Sequence, residues 1–214
     1  MPKVDLAFRV TGNEIPADHP YLLYGALCKL LPALHDGPLA DEVGVHAING
    51  RLVGDRLLAL GPRSRLRLRL DSAHIAQVLP LAGKNLQLGP GNLVIGIPEV
   101  YALQPKPALK CRLCIIKGFQ NGESFLEAAQ RQLDALHVKG APRLVARKSQ
   151  RSLEGRQSGN QPRYIRRTLR IRDKEIVGFP LIVEQLSAEE SLILQEKGLG
   201  GRRHFGCGIF VPIR

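Results

Sequence analysis

The stretch "RYIRRTLRIRDKEIVGFPLIVEQLSAEESLILQEKGLGGRRHFGCGIFVPIR" (163–214) decides how the chain folds. Arg166, Thr168, Arg170 and Arg172 alternate with Leu169 and Ile171, and a period of two is the strand period. Asp173 and Lys174 supply turn residues, so 164–172 and 175–185 are predicted to form a hairpin. Ser187 with Glu190 three residues on is a capping box, which opens a helix over 188–197. Glycines at 198, 200, 201, 206 and 208 then break it, and 209–213 closes as a strand. Read coarsely, with the hairpin adding one strand, this closes a βαββαβ unit.

The preceding residues complete that unit. Residues 109–117 read as a strand and 143–147 as another. Between them 123–136 is a helix with Phe125, Leu126, Ala129, Leu133 and Leu136 on one face. The first half repeats the order. A strand at 4–11 leads through "PADHP" into a helix over 17–34 carrying Leu22, Leu23, Leu27, Leu30 and Leu31. Short strands at 43–49 and 56–60 precede an arginine strand at 64–70. "DSAHIAQVLP" (71–80) is a short helix capped by Asp71 or Ser72. Strands at 85–88, 93–97 and 99–104 follow, and the prolines of "LQPKPALK" (103–110) mark a boundary. The expected fold class is therefore α+β. It comprises two tandem ferredoxin-like (RRM-like) domains, 1–106 and 107–214, with a C-terminal glycine-rich loop. The halves share this order but no visible sequence identity.

Charge narrows the partners. Lys plus Arg total 31 against 19 Asp plus Glu, a formal net charge of +12. An excess of this size attracts polyanions through Coulomb forces and counterion release. In "RSRLRLRL" (63–70), Arg63, Arg65, Arg67 and Arg69 share one strand face and Leu66, Leu68 and Leu70 the other. The stretch "RKSQRSLEGRQSGNQPR" (147–163) is almost devoid of apolar residues and reads as a flexible basic loop. Single-sign strand faces and a basic loop favour a nucleic-acid backbone. The expected contacts in this part of the chain are Arg147, Lys148, Arg151, Arg166, Arg167, Arg170 and Arg172. With few Phe and Tyr in these strands, shape and phosphate recognition of a short hairpin is expected rather than stacking. No apolar run approaches a bilayer span and no signal peptide is legible, so the expected location is cytoplasmic.

The terminal glycines have their own physics. Lacking Cβ, they allow positive φ and close backbone approach, and successive N–H groups in such turns form anion-binding concavities. Gly198, Gly200, Gly201, Gly206 and Gly208 are thus candidate phosphate contacts. Arg202 and Arg203 would clamp the phosphate with forked donors, and His204 would contact phosphate or base. The alternative is a plain helix C-cap at Gly198 followed by a turn.

Gly198-Leu199-Gly200, then "GRRHF", then Gly206-Cys207-Gly208 and Phe210 resembles the glycine-rich signature of the repeat-associated RNA-binding superfamily found in CRISPR systems. Within it the chain is most similar to the endoribonucleases that cut the CRISPR precursor transcript inside each repeat. "GLGGRRHFGCGIFVPIR" and "LHDG…VGVHAINGRLVGD" resemble the variant of myxobacterial-type type I systems. The resemblance implies a metal-independent, cofactor-free cut in which the 2′-hydroxyl attacks the phosphate, leaving a 2′,3′-cyclic phosphate and a 5′-hydroxyl. Implied partners are hairpin repeat RNA and effector-complex subunits, with the protein a monomer or homodimer. The superfamily also contains non-catalytic subunits that only hold guide RNA, and that is the alternative function.

Such a reaction needs a base, an acid and a cation on the non-bridging oxygens, and imidazole suits the first two near pH 7. The family places its catalytic histidine near the end of the first helix, commonly before a glycine; His35, with Gly37 following, fits. His46 in "VGVHAINGR" is the second candidate, expected to reach the same cleft. The alternative for either is a structural histidine bonded to a neighbouring carbonyl. Tyr24 precedes His35 by about three helical turns, on the same face. The family often carries a tyrosine there, although a tyrosine packed on the sheet fits as well, and Tyr21 is a poorer candidate. For the cation, Lys29, Arg51 and Arg56 are equal candidates. His19, His74 and His137 read as surface helix or cap residues. "CRLC" (111–114) has CxxC spacing but no second pair, so no metal site is expected; three apart in a strand, the two cysteines should face opposite sides.

Overall fold

The computed structural model describes residues 1–147 and 164–213. The expected contacts Lys148 and Arg151 lie outside the described residues, as does most of the basic loop. The first half contains β1 (Lys3–Thr11), β2 (Glu14–Pro16), α1 (Pro20–Leu30), α2 (Pro38–Glu42), β3 (Gly44–Val45), β4 (Arg51–Val53), β5 (Leu57–Ala59), β6 (Arg65–Asp71), α3 (Ile75–Val78), β7 (Asn85–Leu88) and β8 (Gly91–Ala102). The second half contains β9 (Leu109–Cys114), α4 (Gly122–Ala135), β10 (Ala141–Leu144), β11 (Arg167–Ile171), β12 (Lys174–Glu184), α5 (Ala188–Lys197) and β13 (Phe210–Pro212). Helices and antiparallel strands thus alternate throughout, a mixed α and β fold. Among the described residues no helix is long and apolar enough to cross a membrane.

One sheet has the order β3-β6-β1-β8-β7 and another β10-β12-β9-β13, with β11 also paired to β12; β2, β5 and β4 form a small third sheet. Every pairing is antiparallel. The first core gathers Leu6 and Phe8 of β1, Leu66, Leu68 and Leu70 of β6, and Leu23 and Leu27 of α1. The second packs Phe125, Ala129 and Leu133 of α4 and Leu194 of α5 against Phe179, Leu181 and Phe210. A third cluster, Leu113, Ile115, Leu169, Phe205 and Cys207 with Tyr21 and Tyr24 against it, closes the seam between the halves.

Several expectations shift for physical reasons. The first helix is shorter than 17–34. Pro20 occupies its first turn, and Pro32, which disfavours a helical residue before it, ends it; Pro32–Leu34 form a separate 3₁₀ turn. The expected strands at 93–97 and 99–104 are one strand, β8, with an irregularity opposite Phe8/Val10.

The arginine face of β6 is not uniformly open. Arg65 and Arg67 remain half-exposed, but Arg69 is 0% exposed. Its Nε and Nη2 donate to Asp5 at 2.8 and 3.0 Å, and its Nη1 donates to the carbonyls of Gln195 and Phe210 at 2.9 and 2.6 Å. Arg69 therefore ties the halves together instead of facing a ligand. Cys111 and Cys114 likewise depart from alternation. β12 pairs Leu181 with Cys111 but Phe179 with Cys114, so Arg112 and Leu113 share one partner position opposite Pro180. That bulge turns both thiols into the second core.

Candidate active site

Helix α1 divides the molecule's chemistry by face. Leu23 and Leu27 are buried in the first core, while Tyr21, Tyr24, Cys28 and Lys29 line a cleft of about 860 Å³. His35, Asp41, Gln87, His204 and Phe205 line it as well. The Tyr24 hydroxyl donates to the Leu34 carbonyl at 2.5 Å. That bond anchors the 3₁₀ turn, and His35 follows the turn directly, exposed toward the cleft. Gly37 has φ +102°, a left-handed corner that lets the chain reverse into α2. Burial, then the neighbouring Cys28, pushes the Tyr24 phenol up to about 12, so it remains a neutral donor.

The glycine loop supplies the opposite wall. The His204 ring lies 4.7 Å from that of Tyr24 and 4.1 Å from that of Phe205, centroid to centroid, and Phe205 meets Tyr24 edge-on at 5.5 Å. Burial, reinforced by the Arg202 charge, lowers the His204 pKa and favours the neutral imidazole. Two of the four tyrosines and Phe205 converge here with an imidazole. Nothing local forecasts this, because α1 and the loop lie about 180 residues apart in sequence.

His35, Tyr24 and His204 thus share one cleft; His46 does not line it. Its Nε2 lies 3.5 Å from Asp5 Oδ1, beside the Arg69 guanidinium, and its backbone N–H donates to Arg67 O. Burial lowers the His46 pKa, with Asp5 opposing and Arg69 assisting. Burial alone would raise the Asp5 carboxyl, but His46 and Arg69 together hold it well below the usual carboxylate range. His19 also departs from the reading as a surface residue. It is 1% exposed, with Nδ1 bonded to Pro16 O at 2.8 Å and Nε2 accepting from the Ile48 N–H at 2.9 Å.

The glycine loop differs from an open anion nest. The N–H groups of Gly200, Gly201 and Gly208 donate to Gln132 Oε1, Ile115 O and Leu113 O at 2.7, 3.1 and 2.9 Å. Those of Gly198 and Gly206 are also engaged within the fold, so these amides have nothing left to offer a phosphate. Arg203 is corrected too. Its Nη1 and Nη2 donate to Lys197 O and Glu196 O at 2.9 and 2.8 Å, capping the C-terminus of α5 rather than reaching outward. Arg202 is exposed, in a left-handed conformation.

Of the three cation candidates, only Lys29 lines the cleft; Arg51 and Arg56 do not. Arg147, Arg166, Arg167, Arg170 and Arg172 are exposed. Arg166 donates to Gln120 O at 3.0 Å, and Arg172 Nε donates to the Tyr21 hydroxyl at 3.3 Å, joining the basic hairpin to the cleft wall. Asp41 and Gln87 went unnoticed in the sequence, which has no signal joining α2 and β7 to α1. Among the described residues no group of three or more His, Cys, Asp or Glu side chains is disposed to hold a metal ion.

The sequence matches the family model described as Cas6 Crispr over residues 4–214. It is 40% identical over 209 residues to the CRISPR-associated endonuclease Cas6 of Myxococcus xanthus (strain DK1622), covering 98% of this chain and 81% of that protein. Among solved structures it resembles a Cas6-related protein of Pyrococcus furiosus, with TM-score 0.65 and 13% identity over 97% of each chain. It also resembles a CRISPR associated protein Cas6, with TM-score 0.66 and 13% identity over 99% of this chain and 100% of that one. At such identity the structural likeness is one of fold.

Proposed function

The chain belongs to the Cas6 family of CRISPR proteins, and on that premise we propose that it is an endoribonuclease that cuts CRISPR precursor RNA within its repeats. The observation that carries the reading is the convergence of His35, Tyr24 and Lys29 on one cleft whose rim joins an arginine-rich hairpin. Each half is read as a ferredoxin-like unit, 1–106 and 107–214; the strand orders β3-β6-β1-β8 and β10-β12-β9-β13 support this.

In the proposed mechanism the 2′-oxygen forms a bond to phosphorus as the bond to the 5′-oxygen breaks. The products are a 2′,3′-cyclic phosphate and a 5′-hydroxyl. The proton lost by the 2′-hydroxyl is balanced by one gained at the 5′-oxygen, and His35 is the imidazole that handles proton transfer. Lys29 opposes the charge that builds on the non-bridging oxygens. Tyr24 acts as a positioning residue, since its hydroxyl is engaged by Leu34 O and holds the turn that presents His35. His46 belongs to the Asp5–Arg69 network rather than to the chemistry. No step calls for a metal.

Incubation of the protein with end-labelled repeat RNA in EDTA tests the reading. The expected result is one discrete cut with a cyclic phosphate terminus, abolished by His35→Ala and slowed about a hundredfold or more by Lys29→Ala. Intact RNA held tightly by the wild-type protein would instead favour a guide-RNA-holding subunit.

A further inference from the structure

Two arginines at the seam sit on strands of one sheet that flank β12, and neither is paired with a carboxylate among the described residues. Arg112 occupies the β9 bulge, and Arg167 opens β11. Strand alternation and the bulge place both on the face of Leu113 and Leu169, away from the second core. Only β12 separates them, and the residue opposite Arg167 there is Gly178. A Cβ at Gly178 would meet Cys114 O at 2.4 Å and Leu113 Cδ1 at 2.7 Å, and as glycine it raises no side chain from β12 opposite Arg167. Two strand spacings of about 4.8 Å and two residues of about 3.4 Å put the backbones roughly 12 Å apart, within joint reach of two arginine side chains.

Both residues are exposed, and neither takes part in a salt bridge among the described residues. Although Arg112 keeps solvent-exposed surface, the protein packed around it and then the Arg167 charge disfavour its charged form; Asp18 is felt there but forms no ion pair with it. A fold that holds like charges together unpaired loses stability, which an anion between them recovers. Just beyond β11, Arg172 reaches Tyr21, which lines the cleft.

We propose that Arg112 and Arg167 form a phosphodiester-binding subsite at the seam between the halves, gripping the RNA backbone on its way into the cleft. The proposal rests on the nuclease reading and adds a defined backbone contact to it. Planar forked donors on two strands bracket a tetrahedral anion from two sides, which one arginine cannot do. The sequence masked this role, because Arg112 sits inside a motif whose spacing draws attention to its cysteines.

The test measures the affinity of a 2′-deoxy, uncleavable repeat RNA against salt concentration for Arg112→Gln, Arg167→Gln and the double variant. Lys84→Gln, which removes one charge from an exposed turn of the first half, is the control. Each arginine variant should weaken binding about tenfold and reduce the salt slope by about one, with Lys84→Gln near wild type. Without RNA, the melting temperature of both variants should hold or rise as repulsion is relieved. Wild-type affinity and slope in the variants would overturn the subsite. So would a drop of several degrees in melting temperature, which would assign the arginines to the fold instead. If the wild-type protein binds no repeat RNA, the nuclease reading fails. Inorganic pyrophosphate then decides the subsite: stabilisation of the wild type but not of the double variant, at matched ionic strength, sustains it, and equal response refutes it.

Discussion

His19 shows how much a single residue's role depends on where it is buried. Its type and position before a helix read as a surface cap, yet it bridges Pro16 O and the Ile48 N–H inside the first half. Burial pushes its pKa down from 6.5 to about 4, with the Pro16 bond opposing. In the unfolded chain it takes a proton near pH 6.5, whereas in the folded protein it resists until about pH 4. Stability is therefore full above pH 6.5 and falls with the pH below it, by about 3 kcal/mol at pH 4. Urea denaturation between pH 7 and 4 should show that loss, and His19→Gln should flatten it while lowering stability at pH 7. Residue type and sequence position put His35 and Tyr24 forward as candidates on one helix face, and both line one cleft. They ranked His35 above His46 but expected both in that cleft, because only packing reveals that His46 turns instead to Asp5 and Arg69.

Elements were the most legible level. Ser187 and Glu190 form the capping box that their spacing announces: the Glu190 N–H donates to Ser187 Oγ and the Ser187 N–H to Glu190 Oε2. Ser187→Ala should lower the unfolding free energy by about 1 kcal/mol in chemical denaturation. The glycine loop was legible as a special backbone but not as a weld. Gly208 has φ +67°, and a Cβ there would lie 2.1 Å from Leu199 O, whereas a Cβ at Gly201 meets nothing within 4 Å. Gly208→Ala should therefore destabilise the protein by about 1–3 kcal/mol and displace His204 from the cleft, with RNA cleavage falling alongside. Gly201→Ala should leave both melting temperature and cleavage near wild type. If Gly201→Ala were the damaging change, the loop would be a ligand cradle after all. The β9 bulge lay beyond sequence reading, because period two assumes an unbroken ladder.

At the scale of the whole molecule, Arg69 is the joint. It pairs with Asp5 in its own sheet and grips carbonyls 126 and 141 residues away. Arg69→Met leaves the buried Asp5 carboxylate with only the longer contacts to Arg67 at 3.4 Å and His46 at 3.5 Å, and should cost about 3 kcal/mol; adding Asp5→Leu should recover much of the loss, read as denaturation midpoints. While β2, α2 and the unity of β8 escaped it, the sequence by itself determined the main helices and the larger strands, the caps at Asp71 and Ser187, the leucine face of β6 and a net charge of +12. Those properties arise from interactions within a few residues of chain or from composition alone. Tertiary structure decided which arginines are buried staples and which face solvent, which histidine reaches the cleft, and that the glycine amides are already bonded. Desolvation and pairing depend on neighbours far away in the chain, and an alternating pattern is the same whether the face it makes meets water or another sheet.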